Sequence, residues 1–213
     1  MATDAARLTR EGRAALLHGI YVILNDDERT LELARDVLEA GVRIVQYRAK
    51  RGIVPERLRA LRALTEKRAA LLILNDDWRA ADAFDCDGVH LGPDDAGFDG
   101  VAAVRAALGE LLIGLSCGTV SEARAAAGAD YIGAGAIYPT ASKADAGEPI
   151  GIEGLRAIAA ATNLPIAAIG GITGAAIAEL RSNGAAMAAV VSAISNANDP
   201  SAAAAELVDA WNR

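Results

Sequence analysis

Short apolar runs alternate with longer helical patterns along the whole chain. The runs are 20–24, 42–46, 70–74, 88–91, 111–115, 131–133, 166–169 and 186–191. Most are apolar on both faces, the pattern of parallel strands buried between layers. Between them lie helical candidates at 28–40, 54–68, 78–84, 101–108, 121–127, 152–160, 174–182 and 200–211. Thr30 ahead of Leu31 and Leu33, and Ser121 ahead of Glu122, supply start signals. Gly41, Gly109, Gly128 and Gly184 stand where helices should stop. Eight β–α units in this length predict an α/β fold, a (β/α)8 TIM barrel with a closed parallel eight-stranded sheet. One domain spans 1–213, with 1–17 as an N-terminal helix or extension. An open doubly wound sheet is the alternative. It more often carries a glycine-rich turn after its first strand, where this chain has Asn25-Asp26-Asp27.

Composition narrows the function. The 213 residues are 53% hydrophobic, which suits one large core. The net charge of -7 argues against a nucleic-acid partner and against an anionic membrane surface. Any anion site must therefore draw on local positive charge. The cysteines, Cys86 and Cys117, are far apart and lack CxxC spacing, so buried free thiols in a reducing cytoplasm are expected. Asp4, Arg7, Arg10, Glu11 and Arg13 break up every apolar run near the N-terminus, unlike a signal peptide. No run approaches the roughly 20 apolar residues of a membrane span. These features predict a cytoplasmic protein acting on small molecules; assembly into a homo-oligomer is left open.

The polar residues follow the strand pattern. Barrel chemistry sits on loops at the C-terminal strand ends, and seven of the eight runs end in polar residues or glycine. The second ends in Gln46-Tyr47-Arg48-Ala49-Lys50, the third in Asn75-Asp76-Asp77, the fourth in His90-Leu91-Gly92-Pro93-Asp94-Asp95. The fifth ends in Ser116-Cys117-Gly118-Thr119, and the sixth in a loop carrying Pro139-Thr140-Ala141-Ser142-Lys143. The seventh ends in Gly170-Gly171 and the eighth in Ser192. Arg48 and Lys50 share a parity that would point both cations one way, which suits a diphosphate or another multiply charged anion. Asp76 and Asp95 follow adjacent strands, and two converging carboxylates beside cations suit Mg²⁺ bridging to phosphate oxygens. Asp77 is the better helix cap of its pair. His90 either faces the mouth or packs at its strand end. Hydroxyls at Thr140 and Ser142 with the Lys143 ammonium suit an anion. Gly171, Val191 and Ser192 match the phosphate pocket that barrels build from their last two loops. Two anion sites, one for a diphosphate, imply two phosphorylated substrates.

From Tyr21 to Pro200 the chain resembles the thiamine phosphate synthase family. The carriers are Gln46 through Lys50, Asn75-Asp76, Gly88-Val89-His90-Leu91-Gly92 with Asp95, Gly114-Leu115-Ser116, Thr140 through Lys143, Ala168-Ile169-Gly170-Gly171-Ile172 and Val191-Ser192. The resemblance implies condensation of hydroxymethylpyrimidine diphosphate with (carboxy)thiazole phosphate, giving thiamine phosphate and pyrophosphate through a dissociative pyrimidine cation. It further implies that Gln46, Tyr47, Arg48, Ala49, Lys50, Asn75, Ser116 and Lys143 bind the pyrimidine diphosphate, with Arg48, Lys50, Ser116 and Lys143 acting in catalysis. Asp76 and Asp95 would hold Mg²⁺. Thr140, Ala141, Ser142, Gly171, Val191 and Ser192 would bind the thiazole phosphate, and the loop 139–149 would act as a lid. The chain departs from the family pattern at Ser142, where threonine is usual, at Gly118, at Pro93 and at Leu24-Asn25. Rival readings are a related thiazole tautomerase, a sugar-phosphate epimerase, which would want more metal-binding histidines, and a non-catalytic thiazole phosphate sensor.

Overall fold

The structure, a computed structural model, describes residues 8–95, 97, 100–142 and 147–213. In chain order the elements are α1 (Arg10–Ala14), β1 (Gly19–Asn25), α2 (Thr30–Glu39), β2 (Ile44–Arg48), α3 (Pro55–Lys67), β3 (Leu71–Asn75), α4 (Trp78–Ala83), β4 (Gly88–Leu91), α5 (Val101–Leu108), β5 (Leu112–Cys117), α6 (Val120–Ala125), β6 (Tyr131–Gly135), α7 (Gly151–Ala159), β7 (Ile166–Ile169), a 3₁₀ turn (Gly174–Ala176), α8 (Ile177–Ser182), β8 (Met187–Val190), α9 (Ser192–Ser195) and α10 (Pro200–Asn212). The strands close into one parallel barrel, each bonded to the next and β8 to β1. This is a (β/α)8 TIM barrel, as the periodicity predicts.

Strand parity sorts the side chains into two layers. Val22, Leu24, Val45, Tyr47, Leu72, Leu74, Val89 and Ile113 face outward and pack with apolar residues of the helices. Tyr21, Ile23, Ile44, Leu71, Ile73, Leu112, Tyr131, Ala167, Met187 and Ala189 face inward and fill the barrel. A run apolar on both faces is what this arrangement demands of each strand.

Local signals set the boundaries. The chain leaves α2 through a Schellman turn: Val42 N–H donates to the Val37 carbonyl and Gly41 N–H to Leu38, with Gly41 at φ +102°. Pro55 and Pro200 open α3 and α10. Asp77 caps α4 by accepting from the Ala80 amide at 3.0 Å. At α6 the cap is Thr119, in a reciprocal capping box with Glu122, two residues before the Ser121 start signal. Thr30 lies inside the first turn of α2 instead of before it.

The N-terminal end of the barrel is held by two buried aspartates at strand entrances. Asp87 accepts from Leu72 N–H at 2.9 Å, Arg62 Nη1 at 2.6 Å and Arg13 Nε at 3.2 Å. Asp130 accepts from Ile113 N–H at 2.7 Å, Arg10 Nε at 2.6 Å and Arg105 Nη2. Each carboxylate thus satisfies a strand amide and receives a guanidinium from the α1 segment. Among the described residues no helix is long and apolar enough to cross a membrane.

Two outcomes follow from this packing. Asp130→Ala leaves two part-buried guanidinium groups and the buried Ile113 amide without their shared acceptor. The variant should lose about 3–5 kcal/mol in denaturant unfolding; a loss below 1 kcal/mol would contradict the account. Burial pushes both Cys86 and Cys117 thiols up to about 12. At pH 8 only on the order of one molecule in 10⁴ then carries either thiolate. Neither thiol should react with a disulfide reagent until the chain is unfolded, when both should.

Candidate active site

Four strand ends, β1 to β4, build one side of the C-terminal rim. Arg48 closes β2 and reaches back to β1, its Nη1 donating to Asn25 Oδ1 at 3.0 Å. Lys50 lies beyond the strand and turns the other way, its Nζ 2.6 Å from Asp76 Oδ2. The parity argument for these cations therefore fails: the strand stops at Arg48, and the two splay along the rim toward opposite neighbours. Asp76 sits in a left-handed turn at φ +71°, with its amide bonded to the His90 carbonyl at 2.9 Å. Asp95, after β4, accepts from the Gly92 amide at 2.6 Å. Burial raises the Asp95 pKa, and the neighbouring Asp76 carboxyl raises it further, against the pull of the Gly92 amide and of Lys50. The two carboxyls are thus near enough to repel. Hard oxygen donors in such a pair, part-open to solvent and relieved by a cation between them, fit Mg²⁺. Among the described residues no group of three or more His, Cys, Asp or Glu could hold a metal, so such an ion would complete its shell with substrate and water.

Tyr47 belongs to the scaffold of this rim. It is fully buried on the outer face of β2, where its hydroxyl donates to Asp26 Oδ1 at 2.5 Å and Arg57 pairs with the same carboxyl. The Asp26 amide donates to the Arg48 carbonyl at 2.9 Å. The turn after β1 and the end of β2 are thereby fastened together just below Arg48. Ala49 is half-buried and packs against the outer core.

Below the rim, a hydrogen-bonded chain crosses the barrel interior. Gln46 Nε2 donates to Tyr21 Oη at 2.6 Å, and Tyr21 Oη lies 3.0 Å from Tyr131 Oη. Tyr131 Oη is 3.1 Å from His90 Nδ1, and His90 Nε2 is 3.1 Å from Ser116 Oγ. Ser116 is a strand residue, because β5 continues to Cys117, and its inward parity brings it to His90. His90 faces the interior. Asn75 ends β3 directly beside it in register. Two members of this chain, Tyr21 and Tyr131, escape a search for charged loop residues. Their signal is a phenol at an inward position of an otherwise aliphatic strand, which must find a polar partner.

The opposite side of the rim comes from β6, β7 and β8. The loop after β6 is pinned at both ends, by Ile137 N–H to the Ile169 carbonyl (2.8 Å), Tyr138 N–H to Gly170 (3.0 Å) and Ile150 N–H to Ala136 (2.8 Å). Thr140 Oγ1 accepts from the Ser142 amide at 3.2 Å, drawing those two hydroxyl residues into one turn. Ala141 is exposed beside them. Lys143 lies outside the described residues, as does part of the expected lid. Gly170 and Gly171 have a structural reason besides access for a ligand. A Cβ on Gly170 would stand 2.5 Å from Ala136 Cβ, and one on Gly171 2.6 Å from the Pro139 carbonyl oxygen. These glycines seat the β6 loop against β7. Val191 and Ser192 lie just beyond β8, where Ser192 opens the short α9.

A closed barrel with charged and hydroxyl groups gathered on its C-terminal rim is the architecture of a barrel enzyme. A sequence model of thiamine monophosphate synthase matches residues 20–194. A thiamine-phosphate synthase of Caldivirga maquilingensis is 39% identical over 91% of this chain and 97% of its own. A thiamine biosynthesis bifunctional protein of Symbiobacterium thermophilum is 46% identical over 83% of this chain, which spans 38% of that longer protein. The solved thiamine phosphate pyrophosphorylase of Pyrococcus furiosus superposes with a TM-score of 0.82 at 35% identity, covering 92% of this chain and 96% of its own. The chain belongs to the thiamine monophosphate synthase family, and it is a transferase of thiamine biosynthesis.

The seating role of Gly171 can be tested against a matched control. Gly171 and Gly151 share φ +64°, but a Cβ at Gly151 meets nothing within 4 Å. Gly151→Ala should carry backbone strain alone. Gly171→Ala should be less stable than that variant by about 1–3 kcal/mol in thermal unfolding, because its methyl also meets backbone. Equal losses would remove the seating role.

Proposed function

We propose that this enzyme joins a hydroxymethylpyrimidine diphosphate to a thiazole phosphate, plain or carboxylated, releasing pyrophosphate and forming thiamine phosphate. The observation that carries this reading is the division of the rim. Arg48, Lys50, Asp76 and Asp95 gather on β2 to β4, while Thr140, Ser142, Gly171 and Ser192 stand on the β6 to β8 side. One side suits a multiply charged leaving group, the other a monophosphate.

The bond between the pyrimidine methylene carbon and the diphosphate oxygen breaks first, and its electron pair leaves with pyrophosphate. The aminopyrimidine ring delocalises the resulting cation. The thiazole nitrogen then donates its lone pair to form the new C–N bond. No protein nucleophile is needed. Arg48, Lys50 and Lys143 meet negative charge as it grows on the leaving group. Asp76 and Asp95 would hold Mg²⁺, which when bound neutralises charge on the diphosphate oxygens. Gln46, Asn75 and Ser116 would orient the pyrimidine, and Tyr47 and Ala49 would keep the Arg48 segment in place. Thr140, Ala141, Ser142, Gly171, Val191 and Ser192 would hold the thiazole phosphate in line and help keep water from the cation. The two buried free thiols suit a reducing cytoplasm.

Purified protein with both substrates and Mg²⁺ should yield thiamine phosphate and pyrophosphate in equal amounts. Neither product at saturation would sink the proposal. Interconversion of thiazole tautomers without any diphosphate would instead favour a tautomerase, and tight thiazole phosphate binding without turnover a sensor. Asp95→Ala should abolish Mg²⁺-dependent turnover while the fold persists by circular dichroism. Lys143→Ala should lower kcat by about a hundredfold; a rise in KM alone would limit Lys143 to docking.

A further inference from the structure

The chain from Gln46 through Tyr21, Tyr131 and His90 to Ser116 joins five strands, β2, β1, β6, β4 and β5. Its members are more than neighbours in a crowded interior, because the fold opens space for them. A Cβ on Gly114 would collide with the Tyr131 ring and hydroxyl, and one on Gly133 would come 3.0 Å from His90 Cε1. Gly114 is the register partner of both His90 and Tyr131, and Gly133 of Ser116. The phenol ring stands edge-on to Tyr21, centroids 6.1 Å apart, and 5.5 Å from the imidazole.

We propose that this chain carries a single hydrogen-bond direction across the barrel, so that Gln46 presents an acceptor to the substrate and Ser116 a donor, with Tyr131 as the positioning residue that links the two ends. The inference rests on the functional reading of the rim given above.

The direction follows from counting protons. An amide nitrogen such as Gln46 Nε2 can only donate, so Tyr21 Oη receives from it. Burial pushes both phenols well above their ordinary range, so each keeps its one proton. Tyr21 therefore donates to Tyr131, and Tyr131 to His90 Nδ1. The imidazole proton then sits on Nε2 and is donated to Ser116 Oγ, leaving the serine proton to point away from the chain. At the other end Gln46 Oε1 is left to accept. Reversing any one link reverses all of them, and in a low-dielectric interior a broken direction leaves a buried group unsatisfied. At the Gln46 end Oε1 accepts, beside the second Nε2 proton, and at the Ser116 end the hydroxyl proton donates, so a ligand group that donates at Oε1 and one that accepts at Ser116 are read together. An amino group and a phosphate or ring-nitrogen acceptor on one molecule meet that requirement.

Two measurements test this. The chain has two histidines, His18 and His90. In ¹⁵N-histidine NMR of the free full-length protein, His90 should carry its proton on Nε2. A proton on Nδ1, or an imidazolium, would overturn the assigned direction. The second measurement is kcat/KM for the pyrimidine diphosphate in the Mg²⁺-loaded enzyme, across Gln46→Leu, Ser116→Ala and the double variant. In the native background the two losses should depart from a simple product by about tenfold. With Tyr131→Phe, which touches neither end, they should multiply to within about twofold. Coupling of undiminished size in that background would mean it runs through the ligand, and would overturn the role of Tyr131. Should Tyr131→Phe fail to fold, Tyr21→Phe cuts the same chain one link away. A protein that makes no thiamine phosphate at all would refute the functional reading, whereas the histidine tautomer tests the chain regardless.

Discussion

Closure of the barrel turns every second strand residue toward one dry interior, and the rest of the structure depends on how that space is filled. At the N-terminal end aliphatic side chains such as Leu17 and Met187 fill it. Higher up, Gln46, Tyr21, Tyr131, His90 and Ser116 replace them. A polar group taken out of water costs stability unless it is hydrogen-bonded. These five meet that demand by bonding one another in series. The polar series is also the floor of the mouth. The residue types that satisfy the interior are therefore the ones a substrate would touch.

The rim above that floor is organised by a different economy. Its charges are partly exposed and pair loosely, as with Lys50 and Asp76, whose side chains are 49% and 31% exposed. Such a pair contributes little to folding. In the proposed reaction its partners would exchange each other for a diphosphate and a cation. The firm contacts lie one layer back, in Tyr47, Asp26 and Arg57 behind Arg48, and in the glycine seats behind Thr140. Exchangeable groups on rigid supports are what a site needs when charge must move from bound substrate to leaving group without reorganising the scaffold.

The fold and the outline of the rim were legible in the sequence because both rest on periodicity. Runs of 3–6 residues, most of them apolar on both faces, require cover on two sides, and polar residues repeatedly follow them. What escaped was set by partners distant in sequence. The Gln46-Tyr47-Arg48 segment reads as one polar cluster, yet parity sends Tyr47 outward to Asp26 and leaves Gln46 inside. Arg48 and Lys50 share a parity on paper, but parity ends where the strand does. Gly170 and Gly171 signal close approach correctly, while what approaches is the β6 loop. His90 could not be placed from sequence, since its orientation is settled by Tyr131, Ser116 and the two glycines, Gly133 and Gly114, that make room for it and for Tyr131.

The same contrast bears on the dissociative chemistry proposed above. A dissociative reaction makes a cation that any nearby lone pair could trap, so the site gains by having its own lone pairs committed. In the direction proposed for the interior series, each hydroxyl oxygen accepts one bond and the imidazole lone pair faces a phenol proton. In that reading the floor of the mouth is polar enough to orient an aminopyrimidine, while its phenol, imidazole and serine groups bond to one another. An aliphatic floor would leave the ring unoriented, and scattered unpaired hydroxyls would compete with the thiazole nitrogen. A continuous series of hydrogen bonds would avoid both faults in the proposed reaction, and two bulky phenols and two space-making glycines build it where the rest of the barrel uses aliphatic side chains.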